Sequence, residues 1–300
     1  MDTQFWKAIA FRLLTFQPFN FIFSRLIRLF KVDIPFIFPV VGQLLINVYD
    51  DLSFYMLTDG GDSIASRMYL YGSNSFEPES LEIFTKLVAL SSVEIVFDVG
   101  ANTGIYSLAA SSKDANAQVF SFEPMPDIFR RLTGNIECNS FSNVYAKDIA
   151  LSDQNGHVNF YYIPAITVPT GGSAAKKDWP GVQEILVKCS SIDSFCSSQN
   201  IDQIDLIKLD TEMTEPAVLR GGAEVITRCK PFIICEVLDE GSSNDLTKFL
   251  QPLGYLFFHI NSSGLIEKEV ISHDPSYKFA NYLFVHTDRC KEIEGFIEGR

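Results

Sequence analysis

Short apolar runs alternate with amphipathic segments through the middle of this chain. The runs rich in Val, Ile, Leu and Phe indicate strands buried on both faces of a sheet. They lie at 94–99, 118–122, 205–209 and 232–237. Apolar positions at helical spacing predict helices between these strands, at 104–112, 126–139 and 216–222. This alternation predicts an α/β fold with a doubly wound, mostly parallel sheet.

The pattern changes toward the end of the alternation. Segments 143–151, 158–163 and 184–189 predict a further strand and then an added pair of strands. Segments 255–260 and 282–286 predict two late strands with no long helix between them. Two strands joined in this way indicate an antiparallel edge on the otherwise parallel sheet.

The first 75 residues lack this alternation, so we expect a mainly helical N-terminal extension at 1–75 and the main domain at 76–300. Residues 1–31 carry five basic residues and one acidic residue among apolar and aromatic neighbours. The uncharged run at 34–49 is interrupted by two prolines, whereas a membrane span needs roughly 20 consecutive apolar residues. Two interpretations stay open: helices that pack on the main domain or on a second copy in a homo-oligomer, or a peripheral membrane contact.

Composition narrows the class of protein. The hydrophobic content of 47% and the 26 Phe residues indicate a well-packed globule. A net charge of −13 argues against nucleic acid as a partner, since no basic patch is concentrated enough to follow phosphates. The six cysteines contain no Cys-x-x-Cys pair, which favours free thiols and a cytoplasmic protein, membrane-associated if the N-terminus touches a bilayer.

A glycine-bearing turn follows the first strand of the alternation, in Asp98-Val-Gly-Ala-Asn-Thr-Gly104. Nucleoside-like ligands bind where such strands end. The two glycines do not form the Gly-x-Gly-x-x-Gly pattern that lets a backbone approach a diphosphate. Glu123 closes the next strand, where it would accept hydrogen bonds from two ribose hydroxyls. This combination fits S-adenosylmethionine, which has a ribose and an ammonium group but no phosphate. The predicted cofactor-binding residues are Asp98, Gly100, Ala101, Asn102, Thr103, Gly104, Glu123 and Pro124.

A set of acidic residues lies at and after the end of the strand at 205–209. Asp210 closes that strand, Glu212 comes two residues later, and Glu236 lies near the end of the following strand. Parallel strands bring their carboxyl ends to one edge, so we predict that these three residues are catalytic. The alternative for Asp210 is a cap of the helix at 216–222. Asp210 and Glu236 could also hold a divalent cation, but spacing fixes no third ligand and no metal site is assigned.

Taken together, these motifs resemble the FkbM family of S-adenosylmethionine-dependent methyltransferases. The resemblance covers about residues 75–286 and includes Phe76-Glu-Pro-Glu79 upstream of the glycine turn. It implies a class I methyltransferase (Rossmann-like) fold and O-methyl transfer onto a hydroxyl of a sugar, glycan or other natural product. One position departs from the family: Met213 stands where a Gly is usual, which predicts a differently shaped turn.

Two alternative functions remain open from the residues alone. The first is a nicotinamide-dependent oxidoreductase, which the missing middle glycine disfavours. The second is a catalytically silent methyltransferase-like binding module. We expect a small-molecule or glycan acceptor as the partner of the enzyme.

Overall fold

The computed structural model describes residues 40–49, 52–164, 172–175 and 180–297. The described chain begins with an antiparallel hairpin of β1 (Val41–Tyr49) and β2 (Leu52–Asp59). Two helices follow, α1 (Ser63–Tyr71) and α2 (Pro78–Val88), separated by a 3₁₀ turn at Ser73–Ser75. Asp62 caps α1 by accepting a hydrogen bond from the backbone N–H of Ala65 at 2.8 Å, and Pro78 occupies the first turn of α2.

The centre of the molecule is an eight-stranded sheet in the described part of the chain. Five neighbouring strands are parallel, and they are β3 (Ile95–Val99), β4 (Gln118–Phe122), β5 (Val144–Lys147), β9 (Leu206–Leu209) and β10 (Phe232–Glu236). Three antiparallel strands extend the sheet beyond β10, and they are β11 (Tyr255–Asn261), β12 (Gly264–Lys268) and β13 (Asn281–His286). The order is β5-β4-β3-β9-β10-β13-β11-β12, so the strand order reverses between β3 and β9. Ligands of open α/β sheets bind at such a reversal.

Helices cover both faces of this sheet. They are α3 (Ile105–Lys113), α4 (Pro126–Cys138), α5 (Ile192–Gln199), α6 (Glu215–Arg220), α7 (Ala223–Cys229), α8 (Glu240–Leu250) and α9 (Glu294–Ile297), with 3₁₀ turns at Gln251–Leu253 and Thr287–Ile293. Alternate strand residues enter opposite hydrophobic clusters: Val96 packs with the hairpin, α2 and α3, whereas Phe97 packs with α5, α6 and α8. This is why the central strands are apolar throughout.

A smaller three-stranded sheet lies beside the main one. It contains β6 (Ala150–Leu151), β7 (Gly156–Tyr162) and β8 (Gln183–Ser190), with β8 in the middle. The pairing of β7 with β8 is antiparallel, as the added pair of strands in the sequence indicates. The segment expected as one strand at 143–151 is divided between the two sheets, as β5 and β6.

The expected doubly wound sheet with an antiparallel edge is therefore confirmed. Most of the expected helical extension, 1–39, lies outside the described residues. Residues 40–75 contain the hairpin, which the sequence analysis did not predict, as well as α1. Leu44, Phe54 and Met68 of this segment belong to the same hydrophobic cluster as Val96, while the domain boundary at residue 75 stays a prediction. Within the described residues, no helix combines the length and apolar character that a membrane crossing requires.

Candidate active site

A cavity of about 390 Å³ opens at the carboxyl ends of β3, β4, β9 and β10. Its volume lies within the range of small-molecule sites, roughly 300–1,000 Å³. Ten of the eleven predicted site residues line it, and they are Asp98, Gly100, Ala101, Asn102, Thr103, Glu123, Pro124, Asp210, Glu212 and Glu236. The predicted cofactor-binding residues, Gly104 excepted, and the predicted catalytic residues therefore line the same cavity.

The turn after β3 is shaped by a glycine that has no room for a side chain. Gly100 has φ +80°, and a Cβ built there would lie 1.8 Å from the backbone oxygen of Asp210. The backbone N–H groups of Gly100 and Ala101 both donate to the Phe122 carbonyl oxygen at 3.0 Å. These contacts join the ends of β3, β4 and β9, so the turn and Asp210 form one rigid unit.

Glu123 lies on the floor of the cavity with only 5% of its surface exposed. Its two carboxyl oxygens accept hydrogen bonds from the backbone N–H groups of Met125, at 2.9 Å, and Asn102, at 3.1 Å. Burial raises the pKa of this carboxyl to about 7, although the two hydrogen bonds oppose that rise. Glu123 is thus a buried acceptor that titrates near neutrality.

Asp98, the first residue of the turn segment, is buried in the protein. Its Oδ2 accepts a hydrogen bond from the Ser107 hydroxyl at 2.5 Å, and burial raises its pKa to about 6 against that hydrogen bond and the charge of Lys208. The buried Oδ1 of Asn102 has no hydrogen-bond partner, so the turn offers one polar atom for a ligand, whereas the Thr103 hydroxyl lies beside the Asp62 carboxyl. Gly104 is the predicted site residue that does not line the cavity; it begins α3, with φ +99°.

The acidic part of the cavity contains one more carboxylate than the sequence analysis predicts. Single oxygens of Glu77, Asp210 and Glu236 all lie within 4.8 Å of one another. Glu77 precedes α2, and its Oε2 accepts hydrogen bonds from the Tyr106 hydroxyl at 2.7 Å and from Asn281 Nδ2 at 3.1 Å. Its backbone is left-handed, with φ 38°, which a residue with a Cβ adopts at a cost.

A buried lysine lies beneath these carboxylates. Lys208 is 1% exposed, and its Nζ lies 3.5 Å from Asp210 Oδ2 and 3.2 Å from Asn281 Oδ1. The negative charges of Asp210, Glu77 and Glu236 outweigh its burial and raise its pKa, so the ammonium stays charged. Burial and the charge of Asp210 likewise raise the pKa of Glu236. The Oε2 atom of Glu236 is buried and has no hydrogen-bond partner.

The turn after Asp210 is organised by Glu215. Its Oε1 accepts hydrogen bonds from the Thr211 backbone N–H at 2.8 Å, the Thr211 hydroxyl at 3.1 Å and the Met213 backbone N–H at 3.2 Å. Glu212 and Met213 both have left-handed backbones, with φ 55° and 82°. Met213 therefore adopts a conformation that favours glycine, although the residue there is not glycine.

The small sheet forms another wall of the cavity. Phe160, Gly172 and Ala174 line it. Ser173 exchanges backbone hydrogen bonds with Tyr161, and its hydroxyl donates to the Glu212 carbonyl oxygen at 2.5 Å. The small sheet is thus attached, through Ser173, to the turn after Asp210.

Sequence reasoning did not assign a role to Glu77, Tyr106 or Asn281. Phe76-Glu-Pro-Glu79 belongs to the family resemblance, but no spacing rule brings residue 77 to the end of β9. The pairing of Lys208 with a carboxylate was easier to predict, because a lysine inside an apolar strand needs a nearby acid.

Comparisons with known proteins identify the family. The family model described as the methyltransferase FkbM domain matches residues 98–257, more than half of the chain. The 2-O-methyltransferase NoeI of Sinorhizobium fredii is 25% identical over 200 residues, which cover 59% of this chain and 78% of that protein. The hexuronic acid methyltransferase AglP of Haloferax volcanii is 30% identical over 162 residues, which cover 52% of this chain and 61% of that protein.

Among solved structures, a methyltransferase FkbM from Methylobacillus flagellatus aligns with 74% of this chain and 52% of its own, at 17% identity and a TM-score of 0.44. Nothing in these matches supports a nicotinamide-dependent oxidoreductase or a silent binding module. The match over residues 98–257 confirms the predicted family, and the chain belongs to the FkbM methyltransferases.

Proposed function

We propose that this chain transfers a methyl group from S-adenosylmethionine to a hydroxyl of a sugar, glycan or other natural product. The observation that carries the proposal is the position of Glu123 and Asp210 in one cavity, on either side of the Gly100 turn. The names of NoeI and AglP, a 2-O-methyltransferase and a hexuronic acid methyltransferase, support an oxygen acceptor and a sugar-like substrate.

Glu123 would accept hydrogen bonds from the ribose hydroxyls of the cofactor. The apolar residues beyond it, Phe122, Met125 and Ile128, line the same cavity and suit the adenine ring. The cationic methionine end would then lie toward Asp98 and the turn after β3. This orientation points the methyl group toward the end of β9, where Asp210 lies.

The reaction is an in-line displacement at the methyl carbon. S-adenosylmethionine would supply the methyl group: the acceptor oxygen would bond to that carbon as the carbon–sulfur bond breaks, and the electron pair of that bond would stay on the sulfur of the leaving thioether. The hydroxyl proton passes to a base, and we assign Asp210 to accept it or to orient the hydroxyl. The enzyme contributes mainly by holding both reactants in line.

The test begins with calorimetric titrations of S-adenosylmethionine and of NAD, followed by turnover on a panel of sugars and glycans. Asp210→Asn should keep cofactor affinity within a few fold and lower kcat by roughly 10²–10⁴, the usual contribution of a general base. Asp245→Asn, on the exposed face of α8, is the matched control. The helix α6 begins after Thr214 without a side-chain cap, so Asp210 is not its cap. An Asp210→Asn enzyme with wild-type turnover would therefore leave Asp210 only as the ion-pair partner of Lys208, and binding of NAD in place of S-adenosylmethionine would end the proposal.

A further inference from the structure

The three clustered carboxylates are poorly neutralised by the protein. Glu77, Asp210 and Glu236 come from three separate segments, yet their nearest oxygens lie within 4.8 Å of one another. Carboxylates at this distance repel strongly in a partly buried site. Lys208 supplies one positive charge at 3.5 Å from Asp210, so two negative charges would remain if all three carboxylates were ionised, and burial together with this repulsion raises the pKa of Glu236.

A second observation indicates that the cluster lacks a partner. Glu236 belongs to the cluster, and its buried Oε2 has no hydrogen-bond donor, which is costly for a carboxylate oxygen beside the charge of Asp210. Glu77 has a left-handed backbone, and its side chain accepts hydrogen bonds from Tyr106 and Asn281. Strained residues of this kind persist where the surrounding structure fixes a functional group.

We propose that Glu77, Asp210 and Glu236 bind one divalent cation that prefers oxygen ligands, such as Mg²⁺, Mn²⁺ or Ca²⁺. Opposite oxygens around Mg²⁺ lie about 4.2 Å apart and around Ca²⁺ about 5 Å, from the usual metal–oxygen distances. The separations, all within 4.8 Å, accommodate Ca²⁺ between the three oxygens, whereas Mg²⁺ would require any pair wider than about 4.2 Å to close. The two charges of the cation would balance the two that Lys208 leaves when the carboxylates are ionised. Glu77 is the third ligand that sequence spacing does not provide.

The site opens onto the proposed methyl-transfer cavity, which all three carboxylates line. A remaining coordination position would take the acceptor hydroxyl oxygen, and the cation would lower the pKa of that hydroxyl. This role rests on the proposed function, whereas binding of the cation does not.

The experiment titrates Mn²⁺, and separately Mg²⁺ and Ca²⁺, into chelator-treated full-length protein by calorimetry, with Mn²⁺ paramagnetic resonance as a second readout. We expect one Mn²⁺ per chain, weakened at least about ten-fold in Glu77→Gln and in Glu236→Gln. Glu82→Gln removes the same charge from the exposed face of α2 and should bind as the wild type does. Thermal unfolding of each metal-free variant confirms that it is folded.

Failure of the metal-free wild type to bind any of the three ions at millimolar concentration would overturn the proposal, as would wild-type affinity in Glu77→Gln. S-adenosylmethionine binding and methyl transfer in excess chelator separate the two proposals. Full turnover there excludes the role of the cation in methyl transfer and leaves the methyltransferase, whereas cation binding without methyl transfer to any acceptor contradicts the proposed function alone.

Discussion

The two halves of the cavity are assembled in different ways. The cofactor half comes from one continuous stretch, from Asp98 to Met125, and the two hydrogen bonds of Glu123 stay within that stretch, with Met125 two residues away and Asn102 21 residues away. The acidic half draws on Glu77, Lys208 and Glu236, which meet only when the sheet has formed. A site made from local contacts can be recognised in a sequence, whereas one made from distant segments depends on strand order.

Gly100 is the point at which the halves touch, so its replacement should have the largest effect. In Gly100→Ala the new Cβ would lie 1.8 Å from the Asp210 backbone oxygen. We expect a loss of about 4 kcal/mol of folding free energy from overpacking and left-handed strain together, and loss of cofactor binding. Denaturant unfolding and calorimetry measure both. Gly264→Ala, with φ +91° and open space around its Cβ, is the control; an equal cost in both variants would show that the clash has no role.

Replacing Lys208 should disable the acidic half and spare the cofactor half. Lys208→Met leaves Asp210, Glu77 and Glu236 without their buried counter-charge, which should cost about 3 kcal/mol of stability. Methyl transfer should fall while S-adenosylmethionine affinity stays within a few fold. Lys248→Met, at an exposed position of α8, should change neither quantity. Equal losses of cofactor and acceptor function would contradict the division into halves.

The pH dependence of cofactor binding tests the cofactor half of the cavity by itself. Burial raises the pKa of Glu123 to about 7, so the carboxyl takes up a proton as the pH falls through that value and loses acceptor capacity. Affinity for S-adenosylmethionine should therefore fall from about pH 8 to about pH 6, approaching ten-fold per unit at the acid end. Glu123→Gln should bind roughly 1–3 kcal/mol more weakly and keep only the shallower decline near pH 6 that protonation of Asp98 contributes. Glu137→Gln, exposed on α4, should keep the full slope; a flat profile in the wild type would remove Glu123 from the ribose.

The smallest effect is expected at Met213. Because its backbone has φ 82°, Met213→Gly relieves left-handed strain but adds freedom to the unfolded chain. We expect a net gain of about 0.5–1 kcal/mol in folding free energy with unchanged cofactor affinity, measured by denaturant unfolding. A loss of stability would mean that the half-exposed Met213 side chain contributes contacts worth more than the strain.

The sequence predicted the elements whose pattern is local. The strands β3, β4, β9 and β10 are apolar runs bounded by turns, and each was expected within a residue or two. The helix α8 was not predicted, because its polar sequence Glu-Gly-Ser-Ser-Asn-Asp has little periodicity and its helical state depends on packing of Leu246 and Leu250. The hairpin of β1 and β2 was missed although buried and exposed positions alternate along both strands. Both prolines of the uncharged run at 34–49 precede β1 and do not interrupt this alternation.

The same distinction applies to the site. Glu123 and Asp210 were predicted because each closes an apolar strand, and parallel strands end at one edge. Glu77 was not predicted, because it lies outside the sheet. Its position depends on the orientation of α2, which tertiary packing sets.

The wall formed by the small sheet has a consequence for engineering. Phe160, Gly172 and Ala174 line the cavity but belong to neither the central strands nor their crossover helices. A Cβ at Gly172 would lie 2.5 Å from the Phe160 ring, so the sizes of these two side chains are coupled. A paired library at positions 160 and 172 would therefore reshape this wall of the cavity while the central strands keep their register. Acceptor range can in this way evolve separately from the transfer chemistry.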